Sequence, residues 1–330
     1  MITSIERRPV ISQPRSFESV MHEIPNAIEF AKLEAETSEI ARSPEGKFAL
    51  SYLLAAQKVL KPVLTDTFIH HDLLTQTGGP EYNPSRTIDD IGTTIAMTIA
   101  RGDTALKHLW IRTEETAWWD PAHSDNGFWS EANRFAIIDP MDMTSAIPTR
   151  DRVQTTGIAV YDRQGNLKTV GIISLVDDSL VFVDAAGKDK IITVHPPTPE
   201  AKPDSSILRV GSLIRRMYQL KNLPIFQNNE GVWTHNCVSG YAVLALAQGK
   251  LDTVIDPIKG QPWYEFAIWH RAAQELGLPV TDPNGNPIDT AAIMRKAIEK
   301  NPNDSLRVPF VMSRTPEIHK RVLPLLAIRN

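Results

Sequence analysis

Apolar residues recur at helical spacing over 26–41 and 47–64, where Phe48, Tyr52, Leu53, Ala56 and Val59 share one stripe, and two helices are expected there. A third helix is expected over 87–100, after the breakers Gly78, Gly79, Pro80 and Pro84. The period then changes. Segments 108–113, 134–138, 155–161, 167–175 and 180–183 are short runs rich in Val, Ile and aromatics, and 162–166 reads as a hairpin connection, which predicts a largely antiparallel sheet. The Pro-rich stretch 195–203 can neither extend a helix nor serve a central strand, so it marks a lobe boundary. Beyond it a strand (207–210), helices (212–221 and 239–248), a strand (253–255), a helix (263–276) and a strand (308–312) alternate as in a layered α/β unit. Residues 1–22, with Pro9 and Pro14, read as an arm; the expected division is that arm, an N-terminal α+β lobe over 23–194 and a C-terminal α/β lobe over 204–330.

Composition narrows the classes. The chain has 330 residues with 42% hydrophobic and 22% charged positions and a mean hydropathy of −0.21, which excludes a disordered or collagen-like protein. Thirty-five Lys and Arg against thirty-nine Asp and Glu give a net charge of −4 and a pI near 6.2, with no general basic field to attract a nucleic-acid polymer. The one cysteine, Cys237, cannot form an internal disulfide, which suits a reducing cytoplasm. The first residues carry charge and proline where a signal peptide needs an apolar stretch, and no run of about 18 apolar residues occurs, so no membrane contact is expected.

P-loop, G-x-G-x-x-G, G-x-S-x-G and H-E-x-x-H signatures are absent. The segment 282–287 imitates a calcium loop, but Pro287 stands where the sharp turn needs Gly, and a surface turn is expected. The informative segment is 134–146, an apolar run leading into Asp139 and Asp142 and then Thr144. Like charges this close raise each other's pKa and resist burial unless a cation or donors neutralise them. A hard divalent cation with oxygen ligands satisfies that need; the alternative is a strand-end Asx turn with both acids in solvent. Glu114 and Glu115 end another apolar run, and Glu265 stands in the first turn of an apolar helix. Taken singly, the pair also fits a solvated loop and Glu265 fits a helix-dipole partner.

In this order the motifs resemble the inositol monophosphatase family, Mg²⁺-dependent phosphatases that share a fold with fructose-1,6-bisphosphatase. The family pattern of a Glu-Glu pair, then D-P-[ILM]-D-G-T, then a W-D-x-A-A helix is matched by Glu114-Glu115, by Asp139-Pro-Met-Asp142-Met-Thr144 and by Tyr264-Glu265-Phe-Ala267. Glu275 follows Glu265 at the spacing of the family's Asp to its E-A-G. The resemblance implies a layered α-β-α-β-α sandwich of two lobes, a homodimer and two or more Mg²⁺ ions. One ion is implied on Glu114, Asp139 and the Met141 carbonyl, and a second on Asp139, Asp142 and Glu265. Catalytic parts are implied for Asp90, Glu115 and Thr144, with Asp90 and Thr144 orienting a metal-bound water and Asp89 competing with Asp90 for its part. The N–H groups of Met143, Thr144 and Ser145 would receive phosphate oxygens, and Gly211, Ser212, Ser239 and Gly240 would line the substrate side.

Three positions depart from the pattern: Met143 replaces a Gly, Glu265 an Asp and Thr113 a Gly. The resulting expectation is an outlying Mg²⁺-dependent phosphomonoesterase acting on a small phosphorylated alcohol, sugar or nucleotide. Its rivals are a catalytically impaired family member serving as a binding or scaffold protein, and a 3′-phosphonucleotide phosphatase in which Trp118 or Trp119 stacks on the base.

Overall fold

The computed structural model describes residues 15–65, 69, 71–78, 85–113, 116, 118–120, 131–142, 153–185, 189–193, 208–212, 220–227, 232–236, 239–300 and 306–326. Helix α1 (Phe17–Thr37) starts well before the expected position, because Ser16 caps it by accepting from the Ser19 N–H and because Val20 and Ile24 continue the buried stripe of Ala27, Ile28 and Ala31. Residues 17–22 therefore belong to a helix and not to an arm. Helices α2 (Pro44–Thr65) and α3 (Thr87–Arg101) lie where the periodicity puts them. Between them, β1 (Gln76–Gly78) and β2 (Ser85–Arg86) pair as a small ribbon.

The larger sheet runs in the order β3 (Leu109–Thr113), β4 (Arg134–Asp142), β5 (Thr155–Asp162), β6 (Leu167–Ser174), β7 (Leu180–Asp184), β8 (Asp189–Thr193). Only β3 and β4 pair in parallel within it, so the antiparallel expectation holds. The second sheet has the order β10 (Val232–Asn236), β9 (Leu208–Ser212), β11 (Thr253–Pro262), β13 (Arg307–Ser313), β12 (Val280–Thr281), and β9 is parallel to both its neighbours. Ser212 closes β9, whereas a helix start was expected there; β10 was not foreseen, and the proposed boundary 195–203 lies outside the described residues. Helices α4 (Pro224–Gln227), α5 (Gly240–Ala247), α6 (Trp263–Glu275), α7 (Thr290–Lys300) and α8 (Pro316–Val322) complete the set used below.

Three apolar cores define the layering. One joins α1, α2 and α3 to one face of the larger sheet, through residues such as Ala136, Ile138, Ile158 and Val160. A second joins the opposite face, through Phe135, Ile137, Ala159 and Tyr161, to α5, α6, α7 and the second sheet. The third packs α4 and α8 beneath that sheet. The result is the expected α-β-α-β-α sandwich. The segment 282–287 forms the expected turn: the Asp282 carboxylate accepts the Asn284 and Asn286 N–H groups and the Asn286 amide. Asp162 does the same with Gln164 and Asn166 in the β5–β6 hairpin.

Two glycines set how closely the middle helices approach the larger sheet. A Cβ on Gly157 of β5 or on Gly240 at the start of α5 would run into the indole of Trp269 on α6, which is fully buried. Gly157→Ala should therefore destabilise the fold by about 1–3 kcal/mol through overpacking. In urea titrations, the double variant with Trp269→Leu should lose less stability than the two single changes added together; strict additivity would show that the glycine is not there to admit the ring.

Candidate active site

Residues 139 and 142 are separated by an odd number of positions, and in a regular strand they would point to opposite faces. The register of β4 against β5 shifts between Asp139, which pairs with Gly157, and Asp142, which pairs with Thr155. Within the shift, Pro140 and Met141 both turn toward the first core: Pro140 lies against Gly92 of α3, and the Met141 side chain is buried among the α1–α3 residues. Asp142 thus returns to the face of Asp139, Ile137 and Phe135, toward α5 and α6. The Thr156 hydroxyl, itself bonded to the Tyr52 hydroxyl at 2.7 Å, donates to the Asp139 carbonyl at 2.9 Å and pins the distortion.

Both acids are buried, Asp139 to 2% and Asp142 to 6% exposure. Asp142 accepts from the Ser239 hydroxyl at 2.6 Å, the Gly240 N–H at 2.9 Å and the Thr155 hydroxyl at 3.2 Å, so one carboxylate ties β4 and β5 to the start of α5. Loss of water on burial pushes its pKa up to about 6, against the opposing pull of those donors. Ser239 and Gly240 follow β10, whose last residue, Asn236, pairs with Ser212 at the end of β9. The expected substrate residues Gly211, Ser212, Ser239 and Gly240 are therefore gathered at the carboxyl ends of two parallel strands. Ser212 is buried and its hydroxyl has no hydrogen-bond partner among the described residues.

Glu265 is half-buried in the first turn of α6, one turn before Trp269 on the same side of the helix. Asp90 is half-buried in the first turn of α3; burial raises its pKa, partly offset by a hydrogen bond with the Thr77 side chain. Asp89 is buried to 1% and lies three residues before Gly92, on the side of α3 that meets Pro140. Glu114, Glu115, Met143, Thr144, Ser145 and Cys237 lie outside the described residues.

Sequence reasoning passed over Arg112. It interrupts the apolar run of β3, is 6% exposed, and places its guanidinium carbon 5.4 Å from the Trp263 ring centre and 5.2 Å from that of Tyr264, at the start of α6. A charged residue inside a run otherwise destined for the core was the available signal. Trp118 is buried, stacked on Trp263 at 6.1 Å and edge-on to Phe135 at 5.5 Å, and Trp119 carries the Arg101 guanidinium 4.8 Å from its ring centre. Trp118 is part of the wall and offers no stacking surface to a base.

As donors, the acids suit a hard cation: they are oxygen ligands, and two of them are buried carboxylates sharing one face of β4. Among the described residues no group of three His, Cys, Asp or Glu side chains is placed to hold an ion. Asp139, Asp142 and Glu265, expected to share the second ion, are all described and do not form such a group; Glu114, expected on the first, lies outside the described residues.

No protein-family model and no curated protein matches the chain by sequence. Solved structures do match. They include an inositol monophosphatase–fructose 1,6-bisphosphatase (TM-score 0.59, 16% identity, 83% of this chain and 96% of that one). The extragenic suppressor protein SuhB from Bartonella henselae aligns with TM-score 0.59 and 14% identity over 84% of this chain and 96% of its own. An IMPase/NADP phosphatase complexed with Mg²⁺ and phosphate aligns with TM-score 0.53 and 15% identity over 79% and 88%. The chain has the inositol monophosphatase fold, at an identity that marks it as an outlier among proteins of that fold.

The raised pKa of Asp142 has a sign that can be measured. A carboxyl that holds its proton more tightly when folded than when unfolded adds stability below about pH 4, and this is lost as pH rises through about 6. In chelator, the stability of the wild type relative to Asp142→Asn should fall by up to about 3 kcal/mol between pH 4 and pH 7. A difference that stays constant over that range would show that Asp142 titrates normally.

Proposed function

We propose that this protein is a Mg²⁺-dependent phosphomonoesterase of the inositol monophosphatase family, working on a small phosphorylated alcohol, sugar or nucleotide as a cytoplasmic homodimer. The observation that carries this reading is the bulge in β4, which sets two buried carboxylates side by side on the face where β9 and β10 end. The fold shared with phosphatases supports it, one of them complexed with Mg²⁺ and phosphate. No helix among the described residues is long and apolar enough to cross a membrane.

In this reading Asp139, Asp142, Glu265, Glu114 and the Met141 carbonyl hold two or more Mg²⁺ ions. Bound there, Mg²⁺ supplies an acidified water and neutralises charge at phosphorus. Glu115 would keep the catalytic part that the family resemblance implies for it. Asp89, buried and on the Pro140 side of α3, suits the water-orienting part better than Asp90, with Thr144 as its partner. The N–H groups of Met143, Thr144 and Ser145 receive the phosphate oxygens. Gly211, Ser212, Ser239 and Gly240 face the alcohol side, where the Ser212 hydroxyl supplies a donor to a substrate oxygen.

A second reading, a binding or scaffold protein with an impaired centre, has its own support: protein donors already engage both Asp142 oxygens, and Met143 replaces the family's Gly. Of the two rings on which the 3′-phosphonucleotide reading drew, Trp118 is buried in the wall, and the half-buried Trp119 carries the Arg101 guanidinium.

Phosphate release is to be measured from inositol monophosphate, glycerol phosphate, sugar phosphates, NADP and adenosine 3′,5′-bisphosphate, each with Mg²⁺ and with chelator. Mg²⁺-dependent release from at least one is expected, and Asp139→Asn should cut it at least ~100-fold while leaving the melting temperature within a few degrees, since a metal-ligand change removes transition-state charge stabilisation. Absence of metal-dependent release from every substrate would favour the scaffold.

A further inference from the structure

The turn that leads from β12 toward α7 and the turn of the β5–β6 hairpin are built alike. In the first, Asp282 Oδ1 accepts the Asn284 and Asn286 N–H groups, each at 2.8 Å, and Oδ2 accepts the Asn286 side-chain amide at 2.9 Å. The Gly285 N–H donates to the Asp282 carbonyl at 3.0 Å and the Asp282 N–H to the Asn286 carbonyl at 2.9 Å. Asp162, Gln164, Gly165 and Asn166 make the same set of bonds, and both glycines hold positive φ, +85° at Gly285 and +81° at Gly165. The residue before the glycine differs: it is Gln164 in the hairpin and the exposed Asn284 here. That change alters the covalent chemistry open to the turn. Gly285 has no Cβ to keep its backbone nitrogen from the Asn284 side chain, and an Asn, unlike a Gln, brings its amide carbon within a five-membered ring of that nitrogen.

We propose that Asn284 is a site of spontaneous deamidation and that the clasp made by Asp282 sets its rate. The Gly285 nitrogen gives up its proton and bonds to Asn284 Cγ, the Cγ–Nδ2 bond breaks and ammonia leaves; water then opens the succinimide at either carbonyl, leaving aspartate or isoaspartate at 284. No oxidant or reductant takes part. While the clasp is closed, the Asp282 carbonyl engages the Gly285 N–H and the Asp282 carboxylate engages the Asn284 N–H, so the attack proceeds only from the opened turn. Isoaspartate adds a methylene to the main chain inside a turn that is tied to its surroundings. The Thr281–Pro287 bridge closes its base, Leu323 Cδ1 lies 3.1 Å from where a Gly285 Cβ would stand, and the Thr281 hydroxyl is 2.9 Å from His319 Nε2 of α8. Conversion therefore loosens β12 and α8 from the second sheet. The chain's other Asn-Gly pair, 126–127, lies outside the described residues.

The test is peptide mapping by mass spectrometry on the full chain incubated at mildly alkaline pH, which reads amide-to-acid conversion at 284 separately from that at 164 and 126. The folded wild type should convert Asn284 at least ~10-fold more slowly than the same chain in urea, and folded Asp282→Ala, which loses the carboxylate acceptor, at least ~5-fold faster than the folded wild type. Gln164 should stay unconverted over the same period. If Asp282→Ala does not fold, Asp282→Asn, whose amide nitrogen cannot accept from Asn286, should accelerate conversion in the same direction. The isoaspartate form, isolated by chromatography, should melt below Asn284→Asp, which supplies the same charge without the added methylene. The proposal is overturned if Asn284 stays intact even in urea, if folded and unfolded chains convert equally fast, or if a folded Asp282 variant keeps the wild-type rate. An isoaspartate form that melts together with Asn284→Asp overturns the loosening of β12 and α8. All of these outcomes are independent of the phosphatase reading, since the turn carries none of the residues assigned to the cleft.

Discussion

The site depends on the kink in β4. Strand geometry alone would send Asp139 and Asp142 to opposite faces; the shift at Pro140 and Met141 turns two consecutive side chains toward the first core and returns Asp142 to the side of Asp139. Pro140 contributes because it has no N–H to give to the ladder at that point, and the Thr156 hydroxyl holds the Asp139 carbonyl in place. Two buried carboxylates on one face follow from that distortion, and everything that approaches the face must answer their charge.

Part of the answer comes from the protein itself. Asp142 collects donors from Thr155, Ser239 and Gly240, which fastens the larger sheet to the helix that follows β10 and so joins the two halves of the molecule through one carboxylate. Even so, the cost of burial wins over those bonds and its pKa stays raised. Arg112, set against Trp263 and Tyr264, brings a positive charge to the same side of the sheet. Fixed protein donors thus meet part of the charge that Asp142 brings to this face.

Much of this architecture was legible in the chain. Helices α2, α3 and α6 and the five strands from β3 to β7 fall close to the segments that periodicity marked, because each buries a continuous apolar stripe or run that water excludes regardless of what it packs against. The start of α1 was missed because a Ser cap and Pro25 inside the helix both look like boundaries locally, while Val20 and Ile24 bury against partners distant in sequence. Ser212 was read as helical because its neighbours suit either state, and pairing of β9 with β10 and β11 decided it.

The sequence by itself determined which residues are acidic, in what order, and that Glu114 with Glu115 and Asp139 with Asp142 follow apolar runs while Glu265 opens an apolar helix, since hydrophobic period and residue chemistry are local properties. Tertiary structure alone decided that Asp139 and Asp142 share a face, that Ser239 and Gly240 close on Asp142, and that Arg112 faces the start of α6. Those relations depend on strand register and on glycines that admit Trp269, and register is settled by pairing between segments that no local pattern connects.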